Sequence, residues 1–471
     1  MTPAKLPKPL DSVKSGAEMY GLIQELYPLC RSITGDGLRA TLRRIGACIP
    51  LTLHEVPTGT RVFDWAVPKE WNIRDAWIKN DRGEKVVDFR RSNLHVLNYS
   101  VPVRATMTLA ELRPRLFTLP AQPDWIPYRT SYYEETWGFC LSQRQLDALP
   151  DGNYEVVIDS TLADGHLTYG ECLLRGTTRD EVLIFTHVCH PSLCNDNLSG
   201  VALAVALVQS LALRPRRYSY RFVFAPATIG SITWLSRNEN RLAHIKHGLV
   251  LACLGDPGKL TYKKSRHDDA EIDRAAQHVL RHAGEHAILE FSPWGYDERQ
   301  FGSPGINLPM GRLTRSPNGG FPEYHTSADN LDLVRPEALA DSLARCLQIF
   351  DILEGNVCYR NTSPKGEPQL GRRGLYRKMG GFQDIPERQW AILWLLNLAT
   401  GEHKLLDIAE RAGLEFSLVR AAADDLLRCG LLALRPEPPL RGRRSKPAES
   451  AKVGTKGRAR APQHRRKTRT R

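Results

Sequence analysis

No hydrophobic run in this chain is long enough to cross a membrane. The longest, Val201 to Leu213, is 13 residues, against the about 20 that a spanning helix needs. No membrane partner is expected. Met1 to Gly16 holds Lys5, Lys8 and Lys14 but no apolar core, so no secretory leader is expected either. The 10 cysteines, at 30, 48, 140, 172, 189, 194, 253, 346, 358 and 429, show neither a C-x-x-C nor a paired rhythm. Without an export signal they read as reduced, mostly buried thiols, and the protein reads as cytoplasmic.

Net charge is scarce too, until the C-terminus. The formal charge is +13, but from Arg441 to Arg471 13 Lys and Arg face a single acid, Glu449. That segment carries +12 and leaves +1 for residues 1–440. The folded body is nearly neutral. Residues 437–471, rich in Arg, Lys, Pro, Ser and Gly, read as a disordered basic tail that would hold nucleic acid or another polyanion non-specifically at low salt.

With 471 residues, 42% of them hydrophobic and 25% charged, the chain is that of a soluble globular protein of two or three domains. Met19, Leu22, Ile23, Leu26 and then Leu38, Leu42 and Ile45 fall at helical spacing on either side of the Gly35-Asp-Gly37 turn. From about Leu51 to Pro120 short β-like runs take over, including Val62–Val67, Lys85–Phe89 and Leu94–Tyr99. Strand-like segments (154–158, 182–185, 220–225, 248–254) then alternate with helix-like ones (201–213, 336–353). Such alternation predicts a mixed α/β sheet with helices on both faces. The expected division is an α/β domain over 15–50 and 121–360, an inserted β subdomain over 51–120, and a further unit over 367–436. That unit runs helix from Ile385, short helix from Lys404, Gly413 turn, helix Ser417–Arg428 and terminal strand, the order of a winged helix-turn-helix. Its last helix offers Arg420 and Arg428 but also Asp424 and Asp425, which favours protein contact over DNA.

The chemistry concentrates in two stretches. Phe185-Thr-His-Val-Cys-His-Pro-Ser-Leu-Cys-Asn-Asp-Asn-Leu-Ser-Gly200 runs from a strand through His187, His190 and Asp196 into a helix. Glu323-Tyr-His-Thr-Ser-Ala-Asp329 returns a third histidine, His325, in a polar loop. Neutral imidazoles plus a turn carboxylate at a sheet edge are what a divalent ion such as zinc takes. A lone histidine more often caps a loop, but so many ligand types together favour a metal. His187 continues the strand and is the first choice, while His190 ligates or supports from behind.

These motifs carry a resemblance. With Val62-Phe-Asp-Trp65, Pro68-Lys-Glu-Trp-Asn-Ile-Arg-Asp75 and Asp297-Glu-Arg299, they make residues 15 to 436 look like the aminopeptidase-like proteins often found beside polysaccharide biosynthesis genes. Those proteins are similar in fold to zinc aminopeptidases of the bacterial leucyl aminopeptidase type. The resemblance implies zinc held by His187, Asp196 and His325, with Asp256 a looser fourth position because Cys253 fills the slot in one register. It also exposes two departures. The aminopeptidases place Glu-Glu after a strand that here leads into Pro226-Ala-Thr-Ile-Gly230. The aspartate two positions after their first histidine is Cys189 here.

A proton acceptor must then come from elsewhere. Glu298 is the candidate catalytic group, with Asp297, Arg299 and Glu323 as substrate-binding candidates. Two readings stand at this point. One is a metal-dependent amide or peptide hydrolase acting on a small amino-acid-like substrate. The other is a weakly active or inactive metal-binding scaffold, or a metabolite sensor coupled to the winged helix. The oligomeric state is open, with a homo-oligomer among the outcomes.

Overall fold

The computed structural model describes residues 11–131, 133–376 and 386–435. The expected basic tail and the expected helix start at Ile385 lie outside them. Among the described residues no helix is long and apolar enough to cross a membrane. No disulfide joins any of the 10 cysteines.

The large domain is built on eight strands in the order Thr52–Pro57, His166–Leu174, Ser219–Ala225, Glu181–His187, Ile245–Leu251, Met310–Thr314, Leu260–Lys263 and His286–Leu289. The four central strands run parallel; His166–Leu174 and Leu260–Lys263 join them antiparallel on either side, and the outermost His286–Leu289 pairs parallel with Leu260–Lys263. Glu181–His187 is buried along its whole length, as its unbroken Val182-Leu-Ile-Phe185 run predicts for a strand covered on both faces. One face packs on helices Ser12–Leu26, Gly200–Ala212, Glu271–His282 and Pro336–Gly355, through Ile23, Leu203, Leu280 and Leu343 among others. The opposite face packs on Ile229–Arg237 and the short helix Glu298–Phe301, through Trp234 and Phe301. The expected mixed α/β sheet with helices on both faces is what the chain forms.

Two strands change places relative to expectation. Thr52–Pro57, expected in the small β unit, is the edge strand of the large sheet and pairs with His166–Leu174. Conversely, Asn153–Ala163 leaves the large sheet to join a four-stranded antiparallel one, between Glu70–Lys79 and Val103–Thr108, with Lys85–Asp88 beyond. That sheet closes its own core around Ile78, Val87, Phe139 and Val156. The C-terminal winged helix contains helices Glu387–Leu398, Leu405–Ala412 and Phe416–Arg428. Gly413 makes the turn at φ +66°, a conformation that favours glycine. Its three-stranded sheet has Cys358–Asn361 in the centre, flanked by Thr400–Lys404 and Leu432–Leu434.

Candidate metal centre

The site forms where the parallel strands end, the edge at which open α/β sheets collect ligands. Strand Glu181–His187 delivers His187, fully buried, at its last position. The chain then turns through His190 and Pro191 into the bend Cys194–Ser199, which carries Asp196, and enters helix Gly200–Ala212. Only glycine fits at the start of that helix. A Cβ at Gly200 would stand 2.5 Å from Asn197 Oδ1 and 2.7 Å from the Leu251 carbonyl.

Asp196 is the hub. Its Oδ1 lies 2.7 Å from His187 Nε2 and its Oδ2 lies 3.0 Å from His325 Nε2. His190 stands between the other two imidazoles, its ring 5.0 Å from that of His187 and 5.1 Å from that of His325. Ligating atoms of His187, His190 and Asp196 lie within 4.8 Å of one another. So both histidines of the first stretch reach the cluster, where the sequence favoured one. Burial drives the His190 imidazole down to about 3, keeping it neutral. The surrounding histidines hold Asp196 well below the usual carboxylate range despite its burial.

A second layer fixes this geometry. The buried Asp329 carboxylate accepts the backbone N–H groups of Asn195 and Asp196, at 2.6 and 2.9 Å. Asn197 donates to Thr186 Oγ1 and accepts from the Cys253 N–H. Arg31 donates to the His190 carbonyl at 2.8 Å. His325 has φ +57°, unusual for a side chain this large, and its carbonyl is held by the Tyr128 N–H at 2.8 Å. Three tyrosines to which the sequence reading gave no role enclose the imidazoles. Tyr296 stacks on His187 at 5.2 Å, Tyr324 on His325 at 4.0 Å, and Tyr128 meets His190 and His325 edge-on.

Asp256 does not join the cluster. Its two oxygens accept from Asn195 Nδ2, the Gly258 and Ser316 N–H groups and Ser316 Oγ, tying together loops behind the site. Glu298, the candidate catalytic group of the sequence reading, is engaged through Oε1 alone, and its Oε2 has no partner among the described residues. It is fully buried, with Oε1 at 3.0 Å from Lys263 Nζ and 3.4 Å from Arg312 Nη1. Its neighbour Asp297 is the carboxyl turned to the other side. Asp297 Oδ1 accepts from Ser231 Oγ at 2.6 Å, Oδ2 has no partner, and burial raises its pKa to about 6. The Arg299 guanidinium lies 5.9 Å from the largely exposed Trp294 ring. Among the described residues, neither Arg299 nor the Glu323 carboxylate has a hydrogen-bond or ion-pair partner. The edge where a Glu-Glu pair was missing from the sequence carries no carboxylate: strand Ser219–Ala225 runs directly into Pro226-Ala-Thr228.

Burial also raises Asp329, to about 7 from 3.8. The folded chain then binds this proton more tightly than the unfolded one between about pH 4 and 7, so stability from this group falls as pH rises across that window and is flat above it. In metal-free protein, Asp329→Asn is expected to flatten that decline. Urea unfolding over a pH series checks it, and parallel wild-type and variant curves would contradict it.

Residues 20–356 match the profile of a family described as a domain of unknown function (DUF4910), and residues 357–434 match that of a winged helix-turn-helix. A Clostridium acetobutylicum protein, provisionally named for polysaccharide biosynthesis with an aminopeptidase-like domain, is 55% identical over 425 residues, 90% of this chain and 98% of its own. A crystal structure from C. acetobutylicum, provisionally called a peptidase, superposes with a TM-score of 0.86 at 54% identity, over 90% of this chain and 97% of that one. The zinc aminopeptidase BSAP of Bacillus subtilis gives a TM-score of 0.53 at 12% identity, over 72% of this chain and 94% of that one, a likeness of fold alone.

Proposed function

The chain belongs to the DUF4910 family, and from that premise and its aminopeptidase-like fold we propose that it is a zinc-dependent amide hydrolase for a small amino-acid-like substrate. The observation that carries this reading is Asp196, with one carboxylate oxygen toward His187 and the other toward His325, and His190 alongside. Three imidazoles and a carboxylate suit zinc. His187, Asp196 and His325 would hold the ion, with His190 at the same cluster. When bound, zinc supplies Lewis acidity toward a scissile carbonyl or water.

The remaining work falls to the protein's own groups. Asp297, rather than Glu298, is the proton acceptor: each has one unpartnered oxygen, but Glu298 is ion-paired to Lys263 and Arg312, whereas Asp297 is held only by Ser231 at Oδ1. Arg299 takes a substrate carboxylate and Glu323 an amine. Tyr296 and Tyr324 hold the imidazoles in place and keep water off their faces.

The bare Ala227 edge supports a second reading, a weakly active scaffold or metabolite sensor. A methyl group accepts no proton, and general-base catalysis is typically worth about 10²–10⁴-fold. Turnover of simple aminoacyl anilides is therefore expected to be feeble. Metal analysis combined with an aminoacyl amide panel tests the proposal. Bound zinc is expected, with slow hydrolysis that drops about 10²–10⁴-fold in Asp297→Asn while metal is retained. Vigorous anilide hydrolysis indifferent to Asp297→Asn would contradict the site assignment, and tight metabolite binding without turnover would select the sensor.

A further inference from the structure

In a winged helix the helix after the turn ordinarily enters a DNA groove. Here that helix is Phe416–Arg428, and its surroundings point elsewhere. We propose that the winged unit is an intramolecular brace for helix Glu271–His282 of the large domain, and that it does not read DNA.

The contacts begin at the helix's first residue. The Phe416 N–H donates to Nε2 of the buried His278 at 3.0 Å, so a side chain of the large domain occupies the positive end that would meet a phosphate. Further along, Arg420 donates to the Asp351 carbonyl at 3.1 Å, on helix Pro336–Gly355. The preceding helix is held as firmly. Arg274 bridges Asp407 and Glu410, and Lys404 pairs with Glu271 at 2.7 Å. Even the link is folded in, because the buried Asn356 Oδ1 accepts the Leu406 N–H at 2.8 Å.

What remains exposed on Phe416–Arg428 is Ser417, Ala421, Asp424 and Arg428. Arg428 is paired with Asp425, which also takes Arg388. That face brings no unpaired cation to a polyanion whose binding depends on cations. The centre of the sheet is taken by Cys358–Asn361, which precedes the helices.

The braced helix leads to the metal centre. Its buried Asp273 accepts from Tyr262 OH, the Ser265 N–H and Ser265 Oγ at 2.8, 2.7 and 2.6 Å. Tyr262 neighbours Lys263, whose ammonium donates to the Ser292 and Trp294 carbonyls and to Glu298. Those contacts hold the loop that lays Tyr296 on His187. The brace is thus tied to the site's loop by hydrogen bonds at two successive residues of strand Leu260–Lys263.

Two measurements on the full chain test this. Hydrogen exchange is expected to quicken about tenfold or more in both 271–282 and 405–428 when Arg274→Glu reverses its ion pairs, a local opening rather than global unfolding. Lys404→Glu serves as the second variant if Arg274→Glu does not fold. Unchanged exchange in 271–282 would overturn the brace. In the second measurement, fluorescence anisotropy with a 20-bp DNA duplex, Ser417→Glu and Arg428→Glu are expected to leave affinity within about twofold. A loss of about tenfold or more would be that of a groove-facing helix and would overturn the proposal. No DNA binding by the full chain would support it.

Discussion

Asp196→Ala is expected to strip the protein of its metal. The carboxylate is the one anionic ligand in the cluster and stands between two imidazole Nε2 atoms, at 2.7 and 3.0 Å. Without it, three imidazoles remain around a doubly charged ion, with no anion to offset its desolvation. His325→Ala should come close to the same result, because it removes the ligand on the far side of Asp196. His187→Ala should cost more metal than His190→Ala, since His187 faces the carboxylate directly while His190 touches it through neither oxygen. Elemental analysis of the purified variants decides. Unchanged metal in both Asp196→Ala and His325→Ala would remove the site, and a reversed order for the histidines would exchange their roles.

The largest stability effect is expected at Glu298. Its carboxylate neutralises Lys263 and Arg312 in a cluster where all three side chains are at most 3% exposed. Glu298→Ala leaves two buried cations facing each other, and breaking a buried pair of this kind costs about 3–5 kcal/mol. Urea unfolding should show a markedly lower midpoint with an unchanged slope. A loss below about 1 kcal/mol would mean the cluster is hydrated and weak. Gly295 belongs to the same arrangement. Its φ is +157°, and an added Cβ would fall 2.1 Å from Glu298 Oε1 and 3.0 Å from both cations. The loop can approach the charges this closely only without a side chain.

The course of residues 185–200 through strand, turn and helix was readable because its signals are local. An apolar run ending in histidine is a strand end, and Asn-Asp-Asn before Ser-Gly is a turn into a helix. Asp256 and Glu298 show where that kind of reading stops. A carboxylate after a strand looks the same whether it faces a metal or its own loops, and Asn195 and Ser316, which claim Asp256, lie about 60 residues away on either side. Asp297 and Glu298 are adjacent, and only the positions of Ser231 on one side and Lys263 on the other separate their roles. The tyrosines around the imidazoles gave no signal, since aromatic residues serve cores equally well. The exchange of Thr52–Pro57 and Asn153–Ala163 between sheets has the same cause: alternation marks a strand, while its partner is set by register across the fold.

The Asp329 clamp has a consequence for the order of events at the ribosome. The backbone N–H groups that orient Asp196 bond to a carboxylate 133 residues later in the chain. At about 5–20 residues per second, Asp196 is synthesised roughly 7–27 s before Asp329. During that interval the first two histidines and the aspartate sit on a nascent chain that has neither its clamp nor His325. The ligand set of the proposed zinc site is therefore complete only once the 325–329 loop has been made.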